Sequence, residues 1–180
     1  MTISPADAVE LFRDPPERHI DVGEGDVAYR RVGSGPDVLF VHGWPVHGAT
    51  FRHLLPNLAD HVTCHVIDLP GTGSSRYDDS TTLSVDNHVE SVRRTVDALE
   101  LERYAAVGHD SGGLIARHAV VDDPRLRALA LINTEPASGT GWRFNSFLAS
   151  SRLPGFGKIL GWAAGKPAVR RNKFVLGDAF

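Results

Sequence analysis

Four short apolar runs, at 37–41 (DVLFV), 61–68 (HVTCHVID), 104–108 (YAAVG) and 126–132 (LRALALI), recur along the chain with helix-length segments between them. The first run is continuous rather than alternating. Continuous apolar runs suit strands covered on both faces of a parallel sheet, where the in/out alternation of a half-exposed strand is lost. The intervening segments have the period of helices. Val85, Val89, Val92, Val96 and Leu99 fall on one helical face, with Ser84 placed as an N-cap. A second helix follows at 111–123 and stops at Pro124. Residues 49–60 are also helix-like, and Pro56 is expected to kink or end that helix. Strands alternating with helices imply right-handed βαβ units and an α/β fold with a mostly parallel sheet flanked by helices. Residues 19–35 read as two strands around a Gly-rich hairpin.

The texture changes after Pro136 into glycines, aromatics and short helical pieces, with no further strand–helix unit. We therefore divide the chain into a core over 1–136 and a segment over 137–180. That segment carries Arg143, Arg152, Lys158, Lys166, Arg170, Arg171 and Lys173 against Asp178 alone. It reads either as a basic cover over an anionic substrate or, more simply, as a solvated face. The net charge of −3 offers no broad basic field, so no nucleic-acid partner is expected. No apolar run approaches membrane-span length, and the N-terminus lacks the basic start and apolar stretch of a secretory signal. A lone cysteine, Cys64, excludes an internal disulfide framework and points to a reducing compartment. The expectation is a cytoplasmic protein.

The chemistry centres on residues 107–113, VGHDSGG. A tight strand-to-helix turn needs small neighbours around the residue it projects, and Gly108 and Gly112 flank Asp110. Ser111 falls one place late. On such a turn the side chain of residue 110 is thrust above the carboxyl ends of the strands. The N–H of residue 111 opens a helix, where it can receive a developing anion. A G-x-D-x-G turn without chemistry is common, so the spacing alone decides nothing. The preceding strand and following helix supply the context that raises it above a chance match. The VHGWP stretch (41–45) ends another strand, and Trp44 could contribute a second N–H.

VHGWP, DLPGTGSS (68–75), VGHDSGG and LRALALINTEP (126–136) together resemble the α/β-hydrolase superfamily over roughly residues 20–136. An aspartate at the nucleophile position is similar to the epoxide hydrolase and haloalkane dehalogenase branch, and HGWP is similar to the HG-aromatic-Pro of epoxide hydrolases. The resemblance implies Asp110 as nucleophile and the N–H groups of Trp44 and Ser111 as oxyanion hole. It implies a small apolar electrophile as substrate and no cofactor. A carboxylate, with an ordinary pKa of about 3.9, is ionised at neutral pH and can displace a strained or good leaving group at an sp³ carbon. Water then hydrolyses the alkyl ester, the step that needs a base and an oxyanion hole.

The family takes its base from a histidine after the lid, whereas the last histidine here is His118. The chain accordingly looks like the first part of a longer enzyme ending in its lid, with self-association or pairing with a missing C-terminal half as a consequence. His42, His47, His53 and His109 are weak substitutes. The nine histidines show no metal-ligand spacing. Glu135 is a candidate acid partner, although Asn133 matches that place slightly better. Trp44 and Ser111 stand where dehalogenases carry a halide-cradling asparagine and tryptophan, which favours epoxides. The three tyrosines, Tyr29, Tyr77 and Tyr104, precede the lid, where epoxide hydrolases keep theirs. Trp142, Phe144, Phe147, Phe156 and Trp162 line either an apolar pocket or ordinary lid packing. GTGSS lacks the lysine of a P-loop. Two rivals remain: a serine-type ester or lactone hydrolase using Ser111, and a non-catalytic fragment or pseudoenzyme.

Overall fold

A computed structural model describes residues 3–134, 142–164 and 166. The chain falls into two compact units, Met1–Glu135 and Pro136–Phe180.

The first unit is a six-stranded sheet in the order β1-β2-β4-β3-β5-β6. Its strands are β1 (Arg18–Asp21), β2 (Asp26–Gly33), β3 (Asp37–Val41), β4 (Thr63–Asp68), β5 (Tyr104–His109) and β6 (Leu126–Ile132). β1 and β2 form the hairpin read from the sequence, and β2 runs antiparallel to β4. β4, β3, β5 and β6 are parallel neighbours. The order reverses at β3, which runs between β4 and β5. In open α/β sheets such a switch opens a crevice at the carboxyl ends of the strands.

Strand side chains alternate between faces, and each face has its own core. Leu39, Val41, Tyr104 and Ala106 pack with Val89, Val92 and Val96 of α3 (Val85–Ala98) and with Ile115, Ala116, Ala119 and Val120 of α4 (Ser111–Val120). Phe40, Cys64 and Val66 face the other way, onto Phe51 and Leu55. Full burial of a side chain such as Val92 contributes about 1.5–3 kcal/mol. Burial also pushes the Cys64 thiol up to about 11, so it stays protonated at neutral pH.

Ser84 caps α3 as expected, its hydroxyl accepting from the Asn87 N–H at 3.1 Å. Val85 departs from the expected apolar face: it is exposed, one turn before the helix reaches the core. The stretch read as one helix at 49–60 is instead a 3-10 turn (Gly48–Phe51) and a short helix, α2 (Leu55–Leu58). Pro56 lies in the first turn of α2, where its missing N–H costs nothing, so it starts this helix rather than ending it. A further short helix, α1 (Pro5–Glu10), begins with a capping box between Ser4 and Asp7 that the sequence reading passed over. β6, read as a core strand, is the last strand of the sheet, and Leu131 and Ile132 are exposed on it.

A buried ion pair fixes the loops at the carboxyl ends of the strands. Asp68, at the end of β4, is fully buried and meets Arg30 of β2 at 3.2 Å. It also accepts from the backbone N–H groups of Gly48 (2.8 Å) and Ser74 (2.9 Å). Arg30 donates onward to the carbonyl oxygens of Leu11 and Asp14 and to the Ser74 hydroxyl. One carboxylate thus ties the segment after VHGWP, the GTGSS loop and, through Arg30, the N-terminal segment. This gives the glycine- and serine-rich loop a structural role.

In the second unit, α5 (Trp142–Ser151) and α6 (Phe156–Ala164) pack together. Trp162 is exposed, with the Lys166 ammonium 5.3 Å from its ring centre. Phe156 is half-buried. The side chains of Trp142, Phe144 and Phe147 lie outside the described residues, as does Glu135. No helix among the described residues is long and apolar enough to cross a membrane.

Candidate active site

Asp110 joins β5 to α4 with φ 56° and ψ −135°. That left-handed corner is foreign to residues with a Cβ and costs of order 1–3 kcal/mol. It is held from both sides. The Asp110 N–H donates to the Ile132 carbonyl at 3.0 Å, and its own carbonyl accepts from Gly113 at 2.9 Å.

Glycines let the corner sit this tightly. A methyl group on Gly43 would lie 2.6 Å from the Asp110 Cβ and 2.8 Å from its Cγ, so the carboxyl side chain rests against the VHGWP loop. One on Gly112 would strike the backbone of Val41 and His42, and one on Gly108 would lie 2.6 Å from the Gly113 Cα. The flanking glycines anticipated from the spacing are thus required by backbone-to-backbone contact. The Trp44–Pro45 peptide bond is cis.

The proposed oxyanion donors are brought together differently from the expectation. The Trp44 N–H does not point into an open hole: it donates to the Ser111 hydroxyl at 2.8 Å. Ser111, one place past the projecting residue, thus turns its hydroxyl to the VHGWP loop. Its short side chain closes the gap between the VHGWP loop and the start of α4. Rotation of that hydroxyl is required before Trp44 can receive an anion.

A cavity of about 290 Å³ opens beside Trp44 and Ser111, and Asp110 is not among its described lining residues. Trp44, Leu83, Val85 and Ile115 give it apolar walls, and Ser84, His88 and Ser111 bring polar groups. Trp44 and Leu83 are exposed at its margin. His88 was missed in the sequence. The available signal was a polar residue at i+3 from Val85, inside an otherwise apolar helical stripe.

Two of the candidate substitute bases have other duties. His42 is fully buried. Its Nε2 accepts from the Leu69 N–H at 2.9 Å, so its Nδ1 carries the proton and donates to the Gly43 carbonyl at 2.8 Å. Burial lowers its pKa and keeps it neutral. His47 caps the 3-10 turn and lies 3.8 Å from Asp68. His109 has its Nδ1 buried without a hydrogen-bond partner. The His53 carbonyl accepts from the Asn57 side chain. Tyr29 and Tyr104 are core residues, hydrogen-bonded to His65 and Asp123. No cluster of three or more His, Cys, Asp or Glu suited to a metal ion occurs among the described residues.

A sequence profile described as the alpha/beta hydrolase fold matches residues 36–158. The chain belongs to the α/β hydrolase fold family. It is 37% identical over 126 residues to a pimeloyl-[acyl-carrier protein] methyl ester esterase of Xanthomonas campestris pv. campestris, covering 69% of this chain and 44% of that enzyme. The haloalkane dehalogenase DatA of Agrobacterium tumefaciens superposes with a TM-score of 0.68 at 26% identity, over 83% of this chain and 53% of DatA. The epoxide hydrolase CorEH superposes with a TM-score of 0.66 at 21% identity, over 79% and 54% of the two chains, a likeness of fold alone. The chain thus spans about half the length of the relatives it matches.

Proposed function

We propose that this chain carries the nucleophile of an α/β hydrolase that opens epoxides, and less readily carbon–halogen bonds, through a covalent ester on Asp110. The observation that carries this reading is the corner: Asp110, not Ser111, holds the positive-φ position between β5 and α4. A carboxylate oxygen of Asp110 attacks a ring carbon and the ring C–O bond breaks. The ring oxygen keeps the electron pair and takes a proton from water, which leaves hydroxide. Addition of hydroxide to the ester carbonyl then gives a tetrahedral oxyanion facing the N–H of Ser111 and, once the Ser111 hydroxyl has rotated, that of Trp44. Collapse releases the diol and restores the carboxylate, with one water consumed.

Intact-protein and peptide mass spectrometry after exposure to a panel of small epoxides tests the reading. The expected product is an adduct of one epoxide mass on the peptide containing Asp110. A folded chain that forms no adduct with any member overturns it.

A second reading has a specific observation behind it. Ser111 lines the cavity, and the curated relative named above is an esterase. Under that reading Ser111→Ala abolishes hydrolysis of a p-nitrophenyl ester and Asp110→Ala preserves it. Under ours, the adduct survives Ser111→Ala and is lost in Asp110→Ala.

A further inference from the structure

Among the described residues that line the cavity, Ser84, Ser111 and His88 bring polar side chains besides the Trp44 indole, and both serines are already engaged. Ser84 accepts the Asn87 N–H as the cap of α3, and Ser111 accepts the Trp44 N–H. His88 stands apart. It lines the cavity one turn into α3, and its Nδ1 is buried without a hydrogen-bond partner. A neutral imidazole has one N–H and one lone pair, and a buried orphan N–H is rarer and costlier than a buried orphan lone pair. The lone pair therefore belongs on the sealed Nδ1 and the proton on Nε2. With Nδ1 sealed, the ring meets the cavity through its other edge. Burial lowers the pKa of His88, which favours the neutral form.

We propose that His88 is the ligand-reading residue of this cavity: a neutral imidazole that donates its Nε2–H to an accepting oxygen on an otherwise apolar small molecule. Trp44, Leu83, Val85 and Ile115 take the hydrocarbon, and His88 selects the compound with an ether, carbonyl or ester oxygen. This deepens the proposed function by assigning the polar contact that orients a substrate in the cavity next to Ser111, but it concerns binding and needs no turnover.

The test is a matched pair of ligands on the full chain. Cyclohexanone and methylenecyclohexane have nearly the same shape and differ in the acceptor oxygen. Titration followed by NMR shifts of the His88 and Ser111 amides should show the ketone binding roughly 5- to 10-fold more tightly, the value of one net hydrogen bond. His88→Leu should bind both and lose the preference, and His88→Gln, which keeps a side-chain donor, should restore part of it. Imidazole ¹⁵N shifts should show the proton on Nε2. A preference that survives His88→Leu, a proton on Nδ1, or failure of the folded chain to bind either ligand overturns the assignment. Discrimination without any epoxide adduct would sink only the Asp110 reading. An adduct without discrimination would sink only the His88 assignment.

Discussion

Two aspartates stand at the carboxyl ends of the parallel strands on either side of β3, each followed by a glycine-bearing loop or helix start, and the fold uses them in opposite ways. Asp68 closes β4, is fully buried, and meets a guanidinium and two backbone N–H groups. Asp110 follows β5, is half-buried, and sits in a backbone conformation that its own side chain disfavours. The first is a tie between loops. The second is held in strain by glycine contacts next to a cavity. Position at a strand end is shared, so it does not make an aspartate reactive. Backbone geometry separates the two.

The comparison breaks first if Asp110 proves replaceable. Asp110→Asn should lower the rate of epoxide adduct formation on the order of 10⁴-fold, the scale of losing a nucleophile, with mass spectrometry over time as the measure. Asp68→Ala should leave the Arg30 guanidinium buried and unpaired and cost about 3–5 kcal/mol in urea unfolding. A loss under ~1 kcal/mol would mean that Asp68 is not the tie described here.

Gly43→Ala sharpens the contrast, because it places a methyl group 2.6 Å from the Asp110 Cβ and leaves Asp68 untouched. It should cost about 1–3 kcal/mol and slow adduct formation. Unchanged kinetics would show that the carboxyl position is not set by the VHGWP loop. The smallest effect concerns a third aspartate outside both regions. Hydrogen bonds from Arg125 hold the Asp123 carboxyl down at about 2, against an ordinary 3.8. A depressed carboxylate stabilises the fold fully above its unfolded pKa, and this contribution is lost as pH falls from about 4 towards 2. Asp123→Asn should therefore lower stability above about pH 4, by an amount that disappears as pH falls towards 2, and so flatten the acid limb of stability against pH in that window.

Much of the scaffold was legible because its signals are local. The apolar runs at 37–41 and 104–108 became the paired parallel strands β3 and β5, and the Val89–Val92–Val96 stripe became the buried face of α3. The corner at Asp110 was legible too, since Gly108 and Gly112 constrain a turn from within a few residues. The 49–60 segment misled because Pro56 fits a helix start as well as a helix end, and only the surrounding chain chooses between them. The link from the Trp44 N–H to the Ser111 hydroxyl spans 67 residues and leaves no periodic trace. The engagement of Asp68 with Arg30, 38 residues away, is equally silent in one dimension.

Sequence alone determined the alternation of elements, the α/β class and the identity of the residue at the bend, because periodicity and turn chemistry act over three to seven neighbouring residues. Tertiary structure alone decided that Asp68 is consumed by a buried guanidinium, that Ser111 answers Trp44, and that His88 reaches a cavity with one nitrogen unpartnered. Each of those outcomes depends on which distant donor, acceptor or methyl group arrives within a few ångströms, and chain folding sets that proximity.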